Sequence, residues 1–258
     1  MRALATLAAL LALAGAAAAG AAPRPAPLVV ALDLSGRPFQ AGSVRGGDAV
    51  FATGFEVEVA RALARRLGYR AVRFVVVPRE QMLRAGGKRW DLALARLVPG
   101  SSRGVRFSAT YLPADQAVVL RRGLRPPAGR GALRRLQLCA ERGTRAAGVI
   151  AARIRPSLRT LLLADEDVLA RRVQTGLCDA ALVDAARLAA FTAGRRGRLG
   201  AVAGRVETGV GYTVALARGS GLVARVDAAL RRLQADGTLA RLRRGSLGAD
   251  PLRLPVLR

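Results

Sequence analysis

The sequence predicts an α/β protein of two lobes, each a mainly parallel sheet flanked by helices. Strand-like runs alternate with helix-like runs along most of the chain, the order that builds parallel sheets covered on both faces. Several strand runs, "DLALA" from Asp91 among them, are short and almost wholly apolar, as strands buried on both sides are. Between Arg121 and Arg134 the alternation stops in "RRGLRPPAGRGALR", rich in Gly, Pro and Arg and without periodicity, which separates a second lobe from the first. A length of 258 residues, 52% of them hydrophobic, supplies core for two such units.

Residues 1–22 read as an export signal: one cation at Arg2, an apolar run from Ala3 to Ala14, then small residues with A-x-A sites. The apolar run is too short to cross a bilayer, and cleavage is placed near Ala21 or Ala22, before a linker over 23–27. "LVVALD" from Leu28 is the first strand, followed by a glycine-rich loop through Gly47. The first helix has Val57, Ala60, Leu63, Ala64 and Leu67 at helical spacing, Thr53 and Glu56 as a capping box, and Gly68 as its stop. "AVRFVVV" alternates like a strand, Glu80 to Ala85 forms a short helix, and "DLALA" follows. Later strands are "QAVVL", "LQLCA", "TLLLA", "DAALV" and "GYTVALARG", with helices starting near Ala146, Asp167 and Ala185. The acids of "ADED", Ala164 to Asp167, suit a helix N-terminus. An amphipathic helix turns Leu222, Val226, Leu230 and Leu233 inward, "TLARLRRG" makes one more, and "ADPLRLPVLR" is a surface extension.

Composition excludes more than it assigns. The net charge is +26, yet of 43 basic residues only Lys88 is a lysine, and the arginines are spread without interleaved aromatics, so no specific nucleic-acid site is expected. Loose, salt-dependent association with anionic polymers follows from the charge alone. With no histidine the commonest general base, the usual serine triad and most transition-metal sites are absent. No Walker loop or G-x-S-x-G occurs either. Catalytic residues, metal and cofactor are therefore not expected, and binding is left. Cys139 and Cys178 are the only cysteines, and both a bridge and free thiols stay open.

Eight stretches in order resemble the type II periplasmic solute-binding proteins of ABC transporters, in the branch for polar amino acids (family 3). They are "LVVALDLSGRPFQ", "TGFEVEVARALARRLGY", "WDLALARLVPGSSR", "FSATYL", "CAERGT", "GLCDAALVD", "GYTVALARGSGL" and "LRRLQADGTLARL", together covering Leu28 to about Gly248. The resemblance implies the two-lobe periplasmic-binding-protein type II fold, with lobe one over 28–114 and 212–258, lobe two over 120–207, and hinge strands at 115–119 and 208–211. It also implies a monomer in the periplasm or outside the cell that captures a polar amino acid, or a related zwitterion, and delivers it to an ABC permease.

Residue by residue, the resemblance puts Arg103 in the place of the arginine that forks onto the ligand's α-carboxylate, and Asp184 in that of the acid receiving the α-ammonium. Asp33 matches a position that meets some ligands' side chains, and Glu141 one that varies with the ligand. Gly143 and Thr144 match a turn toward the carboxylate, and Arg145 replaces a threonine there. Three positions depart from the pattern: Gly36 stands where an aromatic residue packs on the ligand, and Ala95 and Val98 where Ser, Gly or Thr is usual. Phe39, Phe55 or Tyr111 could supply the aromatic face. The segment from Arg103 to Phe107 is also two residues shorter than in the family. Two alternatives stand beside transport: a secreted dehydratase of small carboxylates on the same fold, with Glu141 or Glu207 as general acid, and an accessory polyanion-binding protein.

Overall fold

The computed structural model describes residues 26–258 except 101 and 196, so the expected export signal lies outside the described residues. Seven strands form the first sheet: β1 (Leu28–Leu32), β2 (Ala41–Arg45), β3 (Asp48–Thr53), β4 (Val72–Val76), β5 (Leu92–Leu97), β6 (Val105–Pro113) and β12 (Gly211–Ala217). Their order is β2-β3-β4-β1-β5-β12-β6. Helices α1 (Phe55–Leu67), α2 (Arg79–Leu83), α6 (Val223–Ala235) and α7 (Thr238–Leu247) accompany it. The second sheet has the order β11-β7-β10-β8-β9, from β7 (Gln116–Leu120), β8 (Leu138–Glu141), β9 (Leu161–Leu163), β10 (Ala180–Asp184) and β11 (Val202–Val206). With it go α3 (Arg145–Val149), α4 (Glu166–Gln174) and α5 (Leu188–Thr192). Both sheets are mixed. Parallel pairs β1/β4, β1/β5, β8/β10 and β8/β9 sit beside antiparallel ones, β12 with β5 and β6 and the β2/β3 hairpin with β4 in the first sheet, β7 with β10 and β11 in the second.

That hairpin occupies part of the loop expected after β1. The start of α1 also differs from expectation. Thr53 is still paired with Ala41 in the hairpin, and the helix is capped at Gly54 with no side-chain cap bond. Gly54 has φ 116°, and a Cβ there would stand 2.4 Å from the Phe39 carbonyl oxygen, so only glycine fits. Glu56, freed from capping, is fully buried. The acidic run behaves as its composition suggests: the Asp165 side chain accepts from Val168 N–H at 2.7 Å and caps α4.

The two cysteines are joined, with Cα atoms 5.9 Å apart. Asp179 N–H donates to the Gln137 carbonyl, which draws the turn before β10 alongside the start of β8. Leu169, Val173 and Phe191 pack around the bridge in one face of the second core.

The links between lobes are shorter than the hinge expected at 115–119. Residues 116–119 are interior to β7, bonded on one side to β10 and on the other to β11, so the first link is Ala114–Asp115 alone. Asp115 ties it to the returning link: its carboxylate accepts from Thr208 N–H at 3.1 Å and pairs with Arg205. Ala114 N–H donates to Val210 at 3.0 Å.

The tail, expected as a surface extension of lobe one, instead returns to lobe two. Arg243 and Asp250 form a buried two-point ion pair where the chain leaves α7. Beyond it, Leu257 N–H donates to Arg205 O and Arg205 N–H to Pro255 O, while Arg258 O accepts from Arg130 N–H. Leu257 joins Val118, Leu120 and Leu133 in the second core. The physical reason is the edge strand β11, whose outer backbone groups would otherwise face water beside an apolar surface. Leu257→Ala is expected to cost about 2–3 kcal/mol in chemical denaturation; an unchanged midpoint would show the tail to be dispensable.

Candidate functional site

A cleft of about 790 Å³ lies between the lobes, within the range of small-molecule sites. Lobe one lines it with Arg79, Arg96 and Tyr212; lobe two contributes Glu141, Thr144, Arg145, Asp184 and Arg187, together with the acids at the start of α4.

Arg96 reaches the cleft because β5 is irregular. Leu97 pairs with Thr213 and Ala93 with Ala215, whereas a regular ladder would place Ala95 opposite Ala215. Two extra residues on β5 thus make a bulge, the usual device for re-aiming a side chain. Arg96 takes φ 50°, in the left-handed region. Its N–H donates to Glu56 Oε1 at 2.6 Å and its carbonyl accepts from Arg79 Nη2 at 3.1 Å. The guanidinium lies 5.3 Å over the Phe39 ring, and its Nε is buried with no hydrogen-bond partner among the described residues.

Beneath this bulge is a polar knot. The Glu56 carboxylate accepts from Gln40 Nε2 at 2.6 Å, from Arg96 N–H and from the Tyr111 hydroxyl. Gln40 in turn accepts from the N–H groups of Asp33 and Leu34 and donates to Leu94 O. Burial pushes the Glu56 carboxyl up, against the three hydrogen bonds that lower it. One buried acid therefore orders both the loop after β1 and the backbone that presents Arg96.

Across the cleft, Asp184 accepts from the Tyr212 hydroxyl of lobe one and from Ala186 N–H at 2.9 Å. Burial raises its pKa, with those bonds and the charges of Arg96 and Arg187 opposing. Burial also raises Glu141, abetted by Glu166 and Asp165 and opposed by Arg187 and Arg96. Arg187 grips Glu166 at two points, 2.6 and 2.9 Å, and reaches the Arg37 carbonyl of lobe one at 3.3 Å.

The expected site residues divide by lobe. Asp184, Glu141, Thr144 and Arg145, with Gly143, all line the cleft. Arg103 does not: it is exposed, and this corrects its expected place on a carboxylate. The short segment is the cause. Ser102 Oγ donates to Leu83 O and Gly104 packs with no room for a Cβ against Arg84, so Arg103 is turned outward and β6 begins at Val105. Asp33 and Gly36 stay in the loop after β1, Asp33 accepting from Ser35 N–H and Gly36 bridged to Gln40; neither lines the cleft. Ala95 is buried with its carbonyl held by Arg79, and Val98 packs on the first core, so neither side chain meets the cleft. Of the three aromatics, Phe55 and Tyr111 are core, and Phe39 lies beneath Arg96. Glu207 is exposed beside Arg205 and outside the cleft, which removes it as a general acid there.

Arg79, Arg96, Arg187 and Tyr212 were missed. A sequence cue existed for Arg96: a lone arginine inside the buried run "LALARL" needs a partner or a cleft.

Two mixed α/β lobes with a charged cleft between them define the type II solute-binding class. The model of the bacterial extracellular solute-binding proteins, family 3, matches residues 28–248, and the chain belongs to that family. No curated protein matches the sequence significantly. Among solved structures, the L-cystine solute receptor of Neisseria gonorrhoeae in its unliganded open form is 20% identical with TM-score 0.70, over 87% of this chain and 94% of that one. AbpA of Streptococcus pneumoniae bound to L-arginine is 22% identical with TM-score 0.58, over 87% and 95%. The ancestral amino acid-binding protein AncCDT-1, a precursor of cyclohexadienyl dehydratase, is 22% identical with TM-score 0.58, over 86% and 95%. At these identities the likeness is one of fold. Among the described residues no helix is long and apolar enough to cross a membrane.

Proposed function

We propose that this chain is an exported, monomeric solute-binding protein that closes on a small zwitterion or related acid and delivers it to an ABC permease. One observation carries the reading: opposite charges from the two lobes, Arg96 on one side and Glu141 and Asp184 on the other, line one cleft of small-molecule size. A ligand bridging them gains contacts only when the lobes are together, so its binding energy selects the closed state. The Tyr212–Asp184 bond, which spans the lobes, supports closure along this line.

The test is thermal unfolding against amino acids and organic acids, since a ligand of the folded state raises Tm once its concentration passes Kd. Asp184→Ala, which removes the acceptor of the Tyr212 bond between the lobes, is expected to weaken the best hit at least tenfold, and Arg103→Ala to leave it within about twofold, as its exposure implies. No shift with any compound at millimolar concentration would sink the reading. A second reading, turnover of a small carboxylate, is favoured by Glu141 alone, a carboxyl lining the cleft and pushed by burial toward its protonated form. Product formation from a cyclic carboxylate, abolished in Glu141→Gln, would establish it in place of transport.

A further inference from the structure

The cleft's charges are not equally available to a ligand. Glu166 is held by Arg187 and Asp167 by Arg195, and Asp165 is engaged in capping α4. Asp184 accepts from Tyr212 and Ala186. Among the described residues Glu141 is then the cleft carboxylate whose side chain makes neither a hydrogen bond nor an ion pair. On the positive side, three guanidinium groups have no carboxylate partner among the described residues. Arg79 is satisfied by the carbonyls of Ala95 and Arg96, which leaves its charge uncompensated. Arg145 makes no side-chain bond there, and Arg96 has a buried, unpartnered Nε.

Arg96 also covers the aromatic face of Phe39. A ligand whose side chain ended in a cation would find that face taken by a protein guanidinium and would meet like charge at close range. A carboxylate brought to the same place meets a part-buried donor fork with an unpartnered Nε, carried on a backbone that Glu56 and Arg79 hold.

We propose that the cleft is built for a small molecule carrying two carboxylates, with Arg96 as the residue that excludes cationic ligands and receives one of the acid groups. This deepens the solute-binding reading and rests on it. One carboxylate lies against Arg96 and Arg79, the other against Arg145, and any ammonium turns to Glu141. The shared chemistry is the pair of acid groups; an amino dicarboxylate and a plain dicarboxylic acid differ only in what Glu141 meets.

Calorimetric titration of the full mature chain with L-glutamate, L-aspartate and succinate, and with L-glutamine, L-asparagine, L-arginine and L-lysine, tests this. At least one dicarboxylate is expected to bind tenfold or more tighter than its amide or cationic counterparts. Arg96→Gln should lose at least tenfold for that ligand and narrow its margin over the amide. A preference for the glutamate–aspartate pair over succinate assigns the amino form, and the reverse assigns the plain acid. Binding of arginine, lysine or an amide as tightly as any dicarboxylate overturns the inference while leaving solute binding intact. So does an Arg96→Gln protein that holds the dicarboxylate within threefold of the parent. The comparison of acids with amides uses the unaltered chain, so it decides the matter even if the variant does not fold. Binding of none of the series overturns the inference, and the thermal screen with the wider set of acids then decides separately whether solute binding survives.

Discussion

Replacing Cys139 and Cys178 together by alanine is expected to lower stability by about 4 kcal/mol, and Tm by about 10 °C. The bridge closes a segment with a sequence separation of 39, and a cross-link of that span removes this much conformational freedom from the unfolded chain. The site depends on it as well. Glu141, Thr144, Arg145, Asp165 and Glu166 all lie within the closed segment, so this part of the lobe-two rim is tethered at both ends. Both cysteines are fully buried among Leu169, Val173 and Phe191, so alanine also leaves small voids that add to the loss. Denaturant unfolding of the variant beside the parent, both without reductant, gives the number. An unchanged midpoint would mean that packing alone holds β8 against the turn before β10.

Much of the two-lobe plan was legible because it rests on apolar periodicity. The inward faces of α1 and α6, with Leu63, Val226, Leu230 and Leu233, read directly from spacing, as did the buried strands β5, β7 and β10. The lobe-two half of the cleft was legible through the resemblance, which holds there because its positions sit on regular elements: Asp184 ends a strand, and Thr144 and Arg145 open a short helix. The lobe-one half was not. Its presentation of Arg96 depends on a two-residue bulge in β5, which exists only in the pairing of β5 with β12, a strand more than one hundred residues away. The resemblance put Arg103 in the place of a carboxylate-binding arginine, and the shortened segment before β6 made that register misleading. Glu56 misled through local pattern. Three residues after a threonine it suits a capping box, but tertiary donors from Gln40, Arg96 and Tyr111 compete for the carboxylate and win. The tail reads as a loop because its two prolines break any periodicity, yet its apolar residues cover the edge at β11.

Removing the Glu56 carboxylate is expected to be as costly as removing the bridge, and it reaches the ligand site more directly. Glu56→Ala strips the acceptor from Gln40 Nε2 and the Tyr111 hydroxyl, both fully buried in lobe one, and from the part-buried Arg96 N–H. At about 1–3 kcal/mol for each buried group left without a partner, the loss reaches about 4 kcal/mol. Glu56→Gln keeps the shape and one acceptor oxygen and should cost about 1–2 kcal/mol. The two variants also separate by pH. Because burial holds the folded carboxyl above its ordinary value of 4.5, the folded protein binds this proton more readily than the unfolded chain does. Its contribution to stability is fully present below pH 4.5 and is lost as pH rises through the folded value. The parent should therefore gain stability on going from pH 7 toward pH 5, and Glu56→Gln, with nothing to titrate there, should gain less. Asp184 and Glu141 are displaced in the same direction, so the difference between parent and Gln variant, and not the parent's slope, isolates Glu56. Parallel pH profiles would mean that the knot does not hold this proton. The same pair bears on binding: with Glu56 gone, nothing anchors the Arg96 N–H, the bulge is free to relax, and ligand affinity should fall further in Glu56→Ala than in Glu56→Gln.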